Sequence, residues 1–129
     1  MKSLLLDTHA LLWWFTDDRA IPESARKLIA NKSNTVIVSA ASGWEIATKI
    51  RLGKLTSAVS IVEDFCAYLA NERFVELAIT VRHGIRAGSL PGPHRDPFDR
   101  MLIAQALEEN LGIVSNERIF EQYGVTRLW

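Results

Sequence analysis

Ser3-Leu4-Leu5-Leu6-Asp7 decides the fold: three large aliphatic residues in succession, closed by a carboxylate. A strand with one wet face alternates apolar and polar side chains, whereas a strand apolar at every position needs cover on both faces. Residues 35–39, 74–79 and 112–115 read the same way, each rich in leucine or β-branched residues and bounded by polar or turn residues. Residues 126–129 offer a short last strand. Helical patterns lie between these segments. The stretch 23–31 sets Ala25, Leu28 and Ile29 on one face, and 61–71 sets Val62, Phe65, Cys66 and Leu69. The stretch 97–110 is apolar nearly all round, through Phe98, Met101, Leu102, Ile103, Ala106 and Leu107, as a buried helix is. Strands alternating with helices predict one α/β domain, 1–129, with a central, mostly parallel sheet of four to five strands and helices on both faces. Right-handed crossovers put every strand-to-helix turn at one edge of that sheet, outside the carboxyl ends of the strands, where open sheets bind ligands.

Composition narrows the function classes. Fifteen basic and fifteen acidic residues cancel, so a grip on nucleic acid must come from a local patch or a metal rather than from the overall field. The single cysteine, Cys66, excludes an internal disulfide and a cysteine-rich zinc site; among Phe65, Ala67 and Leu69 it reads as a buried, inert thiol. The apolar run at the start is too short for a signal peptide or a membrane span, which predicts a cytoplasmic protein with no membrane partner.

Carboxylates from distant segments converge on the ligand-binding edge. Asp7 ends the first strand, Glu45 follows the second, Asp96 and Asp99 open the long buried helix, and Glu117 follows the 112–115 strand. Gathered like charges raise one another's pKa unless a cation neutralises them. Oxygen ligands without a cysteine or histidine set favour Mg2+, or Mn2+, over zinc or copper. Each acid also has a plain structural reading. Asp96 before Pro97 suits a helix N-cap with Asp99 in the first turn, Ser42 and Glu45 have capping-box spacing, and Glu117 suits the start of a last short helix. Capping does not explain why a strand-end aspartate joins the same edge.

The opening Leu4-Leu5-Leu6-Asp7-Thr8-His9 resembles that of PIN domains, the nuclease fold of VapC-type toxins in bacterial toxin–antitoxin pairs. The similarity runs on through Ser39 to Glu45, through His94-Arg95-Asp96-Pro97-Phe98-Asp99-Arg100 and its helix, and through Ser115-Asn116-Glu117 to Trp129. The family's first three acids fall on Asp7, Glu45 and Asp99, and Asp96 is an accessory ligand or a cap. The fourth is usually an aspartate in a Thr-x-Asp turn; here Ser115 keeps the hydroxyl and Glu117 is one methylene longer.

The resemblance implies a Mg2+-dependent ribonuclease that hydrolyses RNA phosphodiesters, with Asp7 and Asp99 as principal ligands, Glu45 completing the set, and Glu117 and Asp96 acting at a further distance. It also implies a homodimer and a cognate antitoxin that covers the cleft. Lys49, Arg51 and Lys54, with Arg95 and Arg100, are candidates for holding phosphate; Lys49 also stands four residues from Glu45, the spacing of an ordinary helical ion pair. Thr8 and Ser115 are candidates for hydrogen bonds to ligands or water. His9, His83 and His94 lack ligand spacing among themselves, so the carboxylates are expected to carry the chemistry. Trp13, Trp14 and Trp44 read as core, although adjacent tryptophans cannot share one helical face. Two other readings compete. A haloacid-dehalogenase-type phosphohydrolase requires Asp-x-Asp, which Asp7-Thr8-His9 lacks; a noncatalytic RNA- or partner-binding module on the same fold is favoured by complete loss of the acids, toward which the Glu117 exchange is the only step.

Overall fold

Leu4 and Leu6 enter one core and Leu5 enters another, as a strand covered on both faces must arrange them. The computed structural model describes residues 1–55 and 59–129. Its elements in chain order are β1 (Ser3–Leu6), α1 (Thr8–Thr16), α2 (Glu23–Ala30), β2 (Thr35–Ser39), α3 (Ala40–Arg51), α4 (Val59–Glu63), α5 (Phe65–Glu72), β3 (Val75–Leu77), α6 (Val81–Ser89), α7 (Pro97–Glu108), β4 (Gly112–Val114), α8 (Ile119–Gln122) and β5 (Arg127–Leu128). The sheet has the order β3-β2-β1-β4-β5, and every described pairing is parallel. Its central strand pairs Leu5 with Ile37 on one side and with Ile113 on the other.

One core packs Leu4, Leu6, Val36, Val38 and Val114 against α1, α2, α3 and α5 through Leu11, Ile29, Ile46 and Leu69. The other packs Leu5 and Ile113 against α7 and α8 through Leu102, Ile103, Ala106 and Phe120. Burial of each of these leucines stabilises the fold by about 2 kcal/mol. Helix α7 is buried from Leu102 to Ala106, as its apolar composition required.

Several expectations need correction. The helix read at 61–71 is two, because Asp64 leaves the helical conformation (φ −145°, ψ 56°) and the turn restarts after it. The restart aims Leu69 inward and leaves Cys66 exposed, its thiol 3.7 Å from Glu76 Oε1, so the cysteine is not a buried core residue. Strand β3 covers only Val75–Leu77 of the expected 74–79. Helix α6 was not read from the sequence: it buries His83 and Ala87 and turns Val81 and Ile85 outward, the inverse of the usual pattern. Trp44 is 59% exposed, with its ring edge-on to Phe98, and is not core. Trp13 and Trp14 are half-buried against the first core. Among the described residues no helix is long and apolar enough to cross a membrane.

Candidate metal centre

The carboxyl ends of β1, β2 and β4 deliver Asp7, Ser39 and Ser115 to one edge, where Asp7 N–H donates to Val114 O across the sheet at 3.2 Å. Asp7 then caps α1, its Oδ1 accepting from Ala10 N–H at 2.7 Å. The residue is 3% exposed, and burial pushes its carboxyl up to about 6. The Ser115 hydroxyl, the Ala10 amide and the His9 ring pull the other way, while Glu117 adds to the rise. Ser115 also serves the neighbouring acid: its Oγ accepts the Glu117 N–H at 3.0 Å. Thr8 donates to Ser42 Oγ at 3.1 Å and so ties the start of α1 to α3.

Asp99 lies in the first turn of α7, which Asp96 caps by accepting Phe98 N–H and Asp99 N–H on a single oxygen. Burial again raises the Asp99 carboxyl to about 6; His94 lowers it by hydrogen bonding, and Asp96 and Glu117 raise it. Glu117 thus acts on both Asp7 and Asp99, and the three acids share one field. Asp96 is engaged as the cap, which leaves its second oxygen for any accessory ligand role.

Glu45 sits on the buried face of α3, which is capped by Ser39 accepting Ala41 N–H; the expected Ser42–Glu45 capping box does not form, because the helix starts three residues earlier. Its Oε2 pairs with Lys49 Nζ at 2.6 Å, and its Oε1 is buried with no hydrogen-bond partner among the described residues. An orphaned carboxylate oxygen in the interior costs free energy unless something positive meets it. Glu117 is no cap either, since α8 begins after Arg118 without a side-chain cap bond.

The basic candidates divide. Lys49 is committed to Glu45, as its spacing allowed. Arg100 departs from its expected role of holding phosphate: its guanidinium donates to the carbonyls of Ala87, Leu90 and His94, so it staples the loop between α6 and α7. Arg51 is exposed in the last turn of α3, about 9 Å along the helix from Glu45. Lys54 and Arg95 are exposed.

Two histidines enter that sequence spacing did not show. His94 Nε2 lies 2.9 Å from Asp99 Oδ2, and His9 Nδ1 lies 3.4 Å from Glu117 Oε1. Asp7, His9 and Glu117 each offer a ligand atom, all within 4.8 Å of one another. The third histidine, His83, is buried in α6, where Nδ1 accepts Thr80 N–H and Nε2 meets Glu109. The donors fit a divalent cation: Asp7 and Glu117 stand within ligand distance of each other, Asp99 has a carboxyl raised by burial, and Glu45 has an unpartnered buried oxygen.

The model of the PIN domain family matches residues 4–125. The chain is 26% identical over 120 residues to ribonuclease VapC22 of Mycobacterium tuberculosis (strain ATCC 25618 / H37Rv), covering 92% of this chain and 89% of that protein. Its fold is similar to that of VapBC2 from Rickettsia felis, solved bound to a DNA fragment from its promoter, with a TM-score of 0.68 and 17% identity. VapBC-1 from nontypeable Haemophilus influenzae aligns with a TM-score of 0.64 and 15% identity. Each of these two alignments covers 97% of this chain and 96% of the other.

Proposed function

Because this chain belongs to the PIN domain family, we propose that it is a metal-dependent endoribonuclease, the toxin half of a toxin–antitoxin pair. The observation that carries the reading is the convergence of Asp7, His9 and Glu117, whose ligand atoms all lie within 4.8 Å of one another at the carboxyl edge of the sheet. The ribonuclease similar to it in sequence and the two similar VapBC structures support the activity and the antitoxin partner.

Asp7 and Glu117, whose ligand atoms lie within 4.8 Å of each other, would hold Mg2+ or Mn2+, with Asp99 and Glu45 beside them. When bound, the cation supplies Lewis acidity, screening the charge of an RNA phosphodiester and making water easier to deprotonate. The protein fixes the donors in advance. The Ala10 amide and the Ser115 hydroxyl orient Asp7, His94 orients Asp99, and Lys49 holds one oxygen of Glu45 so that the other faces inward unpaired. Donors set before substrate arrives need no reorganisation during the reaction. The functional form is a cytoplasmic homodimer restrained by its antitoxin.

Cleavage of RNA with Mg2+ and with chelator, by the wild type and by Asp7→Asn, tests the reading. The substitution removes a charge without opening a cavity, so circular dichroism stays native while cleavage falls by at least about 100-fold. Cleavage unaffected by chelator or by the substitution removes the metal-dependent reading. RNA binding without any cleavage leaves a noncatalytic binding module.

A further inference from the structure

Magnesium sites are built from oxygen, yet an imidazole stands at the edge of this one. His9 occupies the first turn of α1, two residues after Asp7, and its Nδ1 lies 3.4 Å from Glu117 Oε1. That separation is long for a hydrogen bond. Two ligands at right angles on one ion with bonds of about 2.1 Å are roughly 3 Å apart, so the spacing suits a shared cation better than it suits a pair. The ring is also held in place. It packs against Trp13 with centroids 5.7 Å apart, and Trp13 in turn packs against Trp129 at 5.8 Å. The ring is 46% exposed, and the contact with Trp13 restricts its rotamer before an ion arrives. On the far side, Asp7 is fixed by its cap bond to Ala10 and is almost wholly buried.

We infer that His9 Nδ1 is a nitrogen ligand to the cation held by Asp7 and Glu117, and that it makes the site select Mn2+ over Mg2+. The inference rests on the metal-binding reading proposed above. Mn2+ shares the preference of Mg2+ for oxygen and stands lowest among the first-row transition ions in affinity, but it accepts a nitrogen donor more readily than Mg2+, which dehydrates reluctantly and demands near-ideal octahedral geometry. A site with one nitrogen and two carboxylates therefore gains more from Mn2+ than an all-carboxylate site does.

Pulsed electron paramagnetic resonance on the full chain loaded with Mn2+ tests this directly, because a bound imidazole imprints 14N modulation on the ion. The wild type is expected to show that coupling. His9→Phe keeps a ring against Trp13 but removes both nitrogens, and is expected to lose the coupling. By calorimetry the same variant is expected to weaken Mn2+ by about tenfold or more and Mg2+ by less than about threefold. Tight Mn2+ binding to the wild type with no nitrogen coupling overturns the inference while leaving the metal reading in place, and so does equal weakening of both ions. Failure of the wild type to bind either ion overturns both. A wild-type spectrum without nitrogen modulation overturns the inference even where His9→Phe folds poorly.

Discussion

At the scale of single residues, the site holds carboxylates that folding makes harder to ionise. Asp7 and Asp99 rise from 3.8 to about 6, chiefly by burial. A group whose native pKa is raised stabilises the fold fully below its unfolded value, and that contribution is lost as pH climbs through the native one. Chelated protein is therefore expected to melt higher at pH 5 than at pH 7, by about 1 kcal/mol from Asp7 and less from the more exposed Asp99. A chelated melting temperature that falls between pH 7 and pH 5 contradicts this. Glu117 raises both aspartates, so Glu117→Gln is expected to stabilise the metal-free protein slightly while lowering cleavage more than tenfold. Unchanged rates for Glu117→Gln over a series of magnesium concentrations reduce the catalytic set to Asp7, Glu45 and Asp99. Asp7, Asp96 and Asp99 were legible because each ends a strand or opens a helix, and Glu45 and Glu117 because each follows a strand closely in sequence. The histidines beside them were not, because His94 reaches Asp99 across a loop and His9 reaches Glu117 across the sheet; no period in the sequence encodes such contacts. Arg100 misled for the same reason, since its carbonyl partners come from the end of α6 and the loop after it.

At the scale of elements, what folded as read was what had one strong local signal. Strands β1 and β2 and the start of α7 fall where aliphatic runs and the Asp96-Pro97 cap place them. Helix α6 escaped because Gly84 and Gly88 weaken its helical signal and its buried side carries a histidine, with the apolar Val81 and Ile85 facing out. Strand β3 stops early because the chain turns into the Thr80 cap of α6, and the Ala78 carbonyl is taken by Gln105 rather than by a neighbouring strand. The Asp96 cap separates two roles that one residue can hold. Asn caps as well as Asp, so Asp96→Asn is expected to keep stability, while Asp96→Ala costs about 1 kcal/mol in denaturant unfolding. If capping is its main task, Asp96→Asn also keeps RNA cleavage within about threefold. A much larger loss of cleavage in a stable Asp96→Asn protein assigns the carboxylate to the metal instead.

At the scale of the whole molecule, the two-sided core was legible in Leu4, Leu5 and Leu6, but the strand order was not. An apolar run states that it is covered and is silent about its neighbours, and β1 takes as neighbours one strand from early in the chain and one from near its end. That pairing has a consequence in time. On the ribosome, Asp7 and Glu45 emerge long before the 112–114 strand that must lie beside β1, and Glu117 follows 110 residues after Asp7. At about 5–20 residues per second, this delay is roughly 5–20 s. Throughout it the central strand lacks one of its two neighbours, and the carboxylate edge cannot close. Arrested nascent chains that end before Gly112 are expected to be digested readily by protease, and those with Trp129 clear of the exit tunnel to resist; early resistance contradicts this. The edge that gathers these carboxylates is thereby completed only after β4 has been made.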